Sequence, residues 1–445
     1  MDWSQFKRAT PQWYLDAKFG IFIHWGAYSV PAWAEPIGEL GTIEGETWFA
    51  HNPYAEWYFN TIRIEGSPAW KHHQDVYGGA PYDDFLDNWK AERFDASSWA
   101  KLFRSVGAKY VIPVTKHHDG IALWDAPGTG TRNTVHRGPR RDLIGEIAEA
   151  VRAEGLRFGT YYSGGLDWSV TNLPPHSEFE ATGGERPNDA AYSMYAFEHC
   201  ADLIRRYQPD ILWDDINWPD FSKQGGPEIP YSLAALFDLY YSKVPEGLVN
   251  DRWGVEHHDY ITSEYQMNVE HEDRGLFENN RGIGYSFGYN RVETSEHYMS
   301  VEQSVSHLVD VVSRGGNFLL NVGPMANGEL PPIQVEILSG IAAWMDVNAE
   351  SIHGSQPVPE LNSVGDKSEG ETPWVRFTGF EDRLYVFLKS KQPIEFDLPS
   401  SLVRDDSARL LGGAEVAIER IGNKVRLDSV GSESKLPQVI SFMRS

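Results

Sequence analysis

RFGTYY (157–162), AAYSMYAFEHCADLIRRY (190–207) and ILWDD (211–215) follow one another as a β-rich run, an amphipathic stretch and a second β-rich run. That order reads as a parallel βα unit, in which a helix returns the chain to the start of the next strand. The same alternation extends in both directions, from residue 19 to about 350. It predicts strands at Phe19–Trp25, Tyr110–Thr115, Arg157–Tyr162, Ile211–Asp215, Leu248–Arg252, Ile261–Tyr265, Tyr285–Gly288 and Phe318–Val322. Predicted helices include Ser97–Arg104, Leu143–Ala153, Ala190–Tyr207, Val301–Val312 and Pro332–Val347. In the last, Ile333, Ile337, Ile341 and Trp344 recur at helical spacing behind an entry proline. Eight strand candidates predict an α/β fold of the (β/α)8, TIM-like type. The weak run at Tyr285–Gly288 and the short connection between the fifth and sixth strands predict an irregular or incomplete barrel.

Beyond residue 350 the texture changes. A polar stretch from His353 to Pro373 precedes alternating runs at Trp374–Phe380, Arg383–Lys389, Ile394–Leu398, Arg409–Leu411, Ala414–Arg420, Lys424–Leu427 and Val439–Met443. Short strands with tight turns predict a C-terminal β-sandwich. The expected division is therefore a barrel over 1–350 and a sandwich over 351–445. Two long aromatic-rich segments, 62–89 and 166–189, are expected to be loops that shape or cover a site.

Composition narrows the function classes. Thirty-nine Lys and Arg against 64 Asp and Glu give a net charge of −25, which repels phosphate backbones and anionic lipid and argues against nucleic-acid and membrane partners. Cys200 is the single cysteine, so neither an intramolecular disulfide nor a cysteine-based zinc cluster can form. The N-terminus MDWSQFKRAT lacks the basic and apolar regions of a signal peptide, and no window approaches the ~18 apolar residues of a membrane span, so a cytoplasmic location is expected. Aromatic residues reach 13%, which serves either a large core or a surface that stacks on sugar faces.

In (β/α)8 proteins the reacting groups gather at the C-terminal ends of the strands. Those ends carry His24-Trp25, His117-His118-Asp119, Tyr161-Tyr162, Asp214-Asp215, Asp251-Arg252 and Glu264. Side chains alternate along a strand, so Asp215 shares the inward face with Ile211 and Trp213. Each Asp of the pair can equally be a helix cap or a loop ion-pair partner, and a lone Glu at a strand end is commonly solvated. His117 and His118 have the residue type of a metal site, but neighbours on a strand point apart unless the strand has already turned, which favours hydrogen bonding to a polar substrate over metal binding. Lys71-His72-His73 is expected in a solvated loop. Trp57, Trp213 and Phe287 taken singly read as core.

Several blocks in order resemble the retaining α-L-fucosidases, the glycoside hydrolase family (family 29) that acts on terminal fucose. They are KFGIFIHWGAYSVPAW (18–33), AEWY (55–58), KYVIPVTKHHDGIALWD (109–125), FGTYYSGGLDW (158–168), ILWDDINWP (211–219), NDRWG (250–254), RGIGYSFGYN (281–290) and GGNFLLNVGP (315–324). The resemblance implies an irregular barrel followed by a β-sandwich, exo-action on fucosylated oligosaccharides or glycosides, and no cofactor or metal. It implies Asp215 as nucleophile and Glu264 as acid/base, with Glu56 and Glu278 as competing carboxylates for the second role. It implies a sugar pocket of His24, Glu56, Trp57, His117, His118, Tyr161, Trp213, Arg252 and Phe287. The family often has Asn before the nucleophile; an inward Asp214 here would raise the pKa of Asp215. Arg252 is expected to keep Asp215 ionised and to leave the raised pKa to Glu264. Rival readings are a non-catalytic fucose-binding protein on the same scaffold, a metal-dependent hydrolase using His117, His118 and Asp215, and a hydrolase of a related sugar such as an α-L-galactoside.

Overall fold

A computed structural model describes residues 1–365, 373–390, 393–427 and 435–445. Eight parallel strands form one curled sheet: β1 (Phe19–Ile23), β2 (Tyr110–Lys116), β3 (Arg157–Ser163), β4 (Ile211–Asp215), β5 (Leu248–Val249), β6 (Ile261–Glu264), β7 (Phe277–Gly282) and β8 (Asn317–Val322). Their order is β5-β4-β3-β2-β1-β8-β7-β6, so β5 and β6 are the two ends and no ladder joins them among the described residues. The predicted irregularity is this open seam. It falls where the connection is too short for a helix and where β5 is cut to two residues, against the five expected from Leu248 to Arg252.

Strand alternation sorts the side chains. Phe22, Ile112, Val114, Tyr161, Ile211, Trp213 and Leu319 fill the barrel interior, while Ile21, Val111, Phe158, Tyr162, Leu212 and Leu320 pack outward against the helices. The helices Leu143–Ala153 and Ala190–Tyr207 form as expected, each with an aspartate, Asp142 or Asp189, accepting a first-turn backbone N–H. Cys200 lies buried in the second of these.

Three expectations are corrected. The seventh strand is Phe277–Gly282, not Tyr285–Gly288, which is loop. FENNRG reads as polar, yet all six residues are buried because the fold supplies their partners. Glu278 accepts from the hydroxyls of Tyr110 (2.6 Å) and Tyr14 (3.2 Å) and from Trp213 Nε1 (3.0 Å), and Asn279 and Asn280 donate to Ser263. Segment 62–89 is not a loop: it holds the helices Pro68–Tyr77 and Asp83–Asn88. Lys71-His72-His73 lies in the first of them, where His73 is buried and bonds Ala80 O at 2.9 Å.

The C-terminal region carries β9 (Trp374–Phe380), β10 (Arg383–Lys389), β11 (Ile394–Asp397), β12 (Val403–Leu410), β13 (Glu415–Val416), β14 (Glu419–Ile421), β15 (Lys424–Leu427) and β16 (Gln438–Arg444). They form antiparallel sheets ordered β13-β12-β16-β10-β9 and β11-β15-β14. The run Ala414–Arg420 is thus split between two strands in different sheets. Of the polar stretch 353–373, residues 366–372 lie outside the described residues. Val375, Phe377, Val386 and Phe442 meet Ile394, Phe396 and Val425 in the sandwich core, whereas Trp374, Tyr385, Phe387 and Val439 face the barrel helices. Among the described residues no helix is long and apolar enough to cross a membrane.

The two regions are joined by a buried ion pair, Arg376 Nε to Asp310 Oδ1 at 2.7 Å, with both side chains under 5% exposed. Asp310 also pairs with Arg314 at 3.1 Å, so two guanidiniums share this one carboxylate. Asp310→Ala, which takes the carboxylate from both, is expected to lower the unfolding free energy by about 3–5 kcal/mol, read from urea titrations; a loss under about 1 kcal/mol, the range of a surface pair, contradicts this account.

Candidate active site

The C-terminal ends of the strands open into a cavity of about 130 Å³. His24, Glu56, Trp57, His117, His118, Tyr161, Trp213, Asp215, Arg252, Glu264 and Phe287 all line it.

Asp215 and Glu264 are bridged by one guanidinium. Arg252 donates from Nη1 to Asp215 Oδ1 at 2.9 Å and from Nη2 to Glu264 Oε2 at 2.8 Å, its plane 4.6 Å from the Trp213 ring centroid. Asp215 also accepts from the Tyr161 hydroxyl (2.8 Å) and the backbone N–H of Ile216 (3.0 Å). Glu264 accepts from the Tyr54 hydroxyl at 3.0 Å. Arg252 therefore does not serve Asp215 alone, as the sequence led one to expect. The pKa of Glu264 is nevertheless raised: burial disfavours its charge, and the Asp215 charge adds to that against the lowering pull of Arg252.

The open barrel seam accounts for how Arg252 gets there. Past β5 the chain continues as Asn250-Asp251-Arg252. The Thr262 backbone N–H and hydroxyl both donate to Asp251 Oδ1, at 3.0 and 2.7 Å, and Arg252 Nε donates to Thr262 Oγ1 at 3.0 Å. Side chains stitch the edge that backbone ladders leave open.

β2 ends at Lys116, so the chain has turned before His117 and His118 and both rings reach the cavity, 4.0 Å apart between centroids. The strand has turned, which is the condition on which both rings can share one site. His117 stacks on Tyr161 at 5.6 Å, and its Nδ1 is buried without a protein partner. His118 bonds Ser163 through Nδ1 at 2.6 Å. His24 bonds Asn321 at 2.7 Å and packs on Phe287 at 4.8 Å. Burial pushes the pKa of all three imidazoles down, that of His24 to about 4, so they enter the site neutral.

Of the competing carboxylates, Glu278 lies beneath the cavity, bound by Tyr14, Tyr110 and Trp213, and does not line it. Glu56 does line it, with Oε2 accepting from the backbone N–H of Gly288 at 2.7 Å. Burial raises each to about 7.

Asp214 does not point into the site. It is fully buried on the outer face of β4, and neither carboxylate oxygen has a protein hydrogen-bond partner. Burial, and secondarily the charge of Asp215, raise its pKa well above the ordinary range.

The sequence reading missed Phe22, Leu40, Trp48, Phe49, Tyr54, Phe179, Thr182, Ile216 and Asn280, which also line the cavity. Phe179 and Thr182 belong to segment 166–189, flagged by its length alone. Tyr54 stands one residue before the AEWY block, and Trp48 and Phe49 lie in a short helix without a periodic signal.

Two carboxylates in a compartment walled by imidazoles and aromatic rings, on a (β/α)8-type scaffold, make the layout of a glycoside hydrolase. The family model for alpha-L-fucosidase matches residues 1–350. The α-L-fucosidase of Dictyostelium discoideum is 34% identical over 367 residues, 80% of this chain and 74% of that one. The human tissue α-L-fucosidase is 33% identical over 80% of this chain and 72% of its own. The Thermotoga maritima α-fucosidase superposes with a TM-score of 0.86 at 41% identity, covering 99% of both chains, and a further crystal structure of that enzyme contains fucose. The chain belongs to the α-L-fucosidase family.

Asp214 yields a stability prediction. In the unfolded chain it ionises near its ordinary value of about 4, whereas in the fold it keeps its proton to much higher pH. The unfolded state therefore releases a proton that the folded state retains, and this group withdraws stability as pH rises above about 4. Asp214→Asn cannot titrate, so its Tm should exceed that of the wild type by a margin that grows from about pH 5 to about pH 8. A pH-independent margin would sink the assignment.

Proposed function

We propose that this protein is an exo-acting α-L-fucosidase that releases terminal α-L-fucose from fucosylated glycans or glycosides with retention of configuration. The observation that carries the reading is the Asp215–Arg252–Glu264 bridge at the barrel rim. In the first step Asp215 Oδ attacks the anomeric carbon while protonated Glu264 delivers its proton to the departing oxygen. In the second, Glu264 takes a proton from water, which displaces Asp215 and frees the sugar.

The electrostatics support this division of roles. Asp215 is held by three donors, from Tyr161, Arg252 and the Ile216 N–H, which suits an ionised nucleophile. Glu264 is partly exposed among the residues that line the cavity, which suits a group that must reach a leaving oxygen. The Asp215 charge is one cause of its raised pKa. Formation of the glycosyl ester removes that charge, so Glu264 becomes less inclined to hold its proton and better suited to deprotonate water.

The remaining wall suits fucose. Neutral His24, His117 and His118 can each donate or accept toward ring hydroxyls, Glu56 can accept, and Trp57, Trp213 and Phe287 offer apolar surface to the methyl group and ring face.

Proton NMR of an aryl α-L-fucoside digest tests the reading. The first-formed fucose should be the α anomer; β-fucose excludes double displacement, and no fucose at all excludes the activity. Asp215→Ala should fold normally and lose on the order of 10⁴-fold or more in kcat. Glu264→Ala should lose about 10²–10⁴-fold on a glycan and much less on an aryl fucoside, whose leaving group hardly needs a proton; equal losses on both would remove Glu264 from the acid role.

A further inference from the structure

Two features of the cavity mouth are unexplained by fucose recognition. The first is backbone conformation. Ile216, directly after Asp215, has φ +58°, and Asn217 has φ +68°. A β-branched residue in the left-handed region is a strained outlier, and glycine is the residue that suits such a position. The turn is clamped from outside: a Cβ on Gly165 would fall 1.8 Å from Ile216 O, and the Gly165 N–H donates to Asp215 O at 3.1 Å. The backbone N–H that Ile216 gives to Asp215 would be supplied equally by glycine. What glycine would not supply is the side chain, and the Ile216 side chain lines the cavity.

The second feature is an aromatic ring in the wrong environment for core. Phe179 opens the short helix Phe179–Gly184, is 44% exposed, and packs edge-on against buried Phe49 at 5.0 Å between centroids. It too lines the cavity. The partly exposed lining residues mark the mouth: Leu40, Phe179, Thr182 and Ile216, beside Arg252 and Glu264. The two charged groups are engaged with each other, which leaves Thr182 as the polar member of an otherwise apolar set.

We propose that Ile216 and Phe179 are specificity-determining residues that form an apolar collar for the leaving group, selecting fucosides whose aglycone is an apolar ring over those carrying a second sugar. The inference rests on the fucosidase reading and extends it to the other side of the scissile bond. At a mouth open to solvent a second sugar's hydroxyls keep water as partners and gain little from this collar, whereas an aryl ring gains apolar contact with Phe179 and Ile216.

The test uses competitive inhibition of aryl α-L-fucoside hydrolysis by three sulfur-linked, non-hydrolysed fucosides: methyl 1-thio-α-L-fucoside, phenyl 1-thio-α-L-fucoside and an S-linked fucosyl pyranoside. Ki does not depend on the amount of folded enzyme, so partial misfolding of a variant does not distort it. In the wild type the phenyl compound should bind about fivefold or more tighter than the methyl compound, and tighter than the disaccharide. In Phe179→Ala and in Ile216→Gly that preference should fall below about twofold, with Ki for the methyl compound little changed. Tighter binding of the disaccharide than of the phenyl compound, or a preference kept by either variant, overturns the proposal. Failure of the wild type to hydrolyse the aryl fucoside would instead overturn the fucosidase reading.

Discussion

The contact between the Arg252 guanidinium and the two carboxylates of Asp215 and Glu264 is the constraint around which the cavity rim is arranged. The carboxylates come from β4 and β6, which are separated by β5 and by the open seam of the sheet. No backbone ladder can fix their spacing across that gap. The fold uses charge instead: Arg252 lies on the Trp213 face and reaches both acids, while Asp251 and Thr262 tie its segment to β6. A partly buried cation between two anions offsets their mutual repulsion, and burial still leaves Glu264 with a raised pKa. Charge neutralisation comes from Arg252, whereas the raised pKa of Glu264 comes from burial and the neighbouring Asp215 charge, against the pull of Arg252.

Beneath and beside this triad the barrel carries an uncommon load of buried polar groups. Glu278 sits under the cavity, satisfied by two tyrosines and the indole N–H of Trp213, whose ring lines the site above. Lys116 and Asp167 form a fully buried pair at 3.1 Å, with the Lys116 ammonium 4.7 Å from the Tyr162 ring centroid. That pair anchors the loop whose Trp168 packs against both Trp57 and His118. Such networks contribute little net stability relative to apolar packing. Here they orient the rings and imidazoles that line the cavity.

Strain and exposure concentrate at the mouth. The strand-to-loop turn after Asp215 adopts two successive left-handed residues, neither of them glycine, against glycines that permit close backbone approach. Strain of this kind persists only where the surrounding structure over-determines it, and it collects at functional sites. The deep end of the cavity is rigid and polar, the outer end apolar and partly exposed.

The sequence by itself determined the βα alternation, seven of the eight strand positions and the gathering of His24, His117, Asp215, Arg252 and Glu264 at strand ends, because a two-residue period and the C-terminal rim rule are local properties. It also separated Asp215 from Asp214, since adjacent strand residues face opposite ways. Tertiary structure decided the rest. FENNRG became a buried strand because partners more than two hundred residues away in sequence, Tyr14 and Glu39 among them, satisfy its polar groups. His117 and His118 both turned inward because β2 stops at Lys116. Tyr54, Phe179 and Ile216 joined the site through segments outside the barrel strands, whose paths depend on long-range packing that no periodicity encodes.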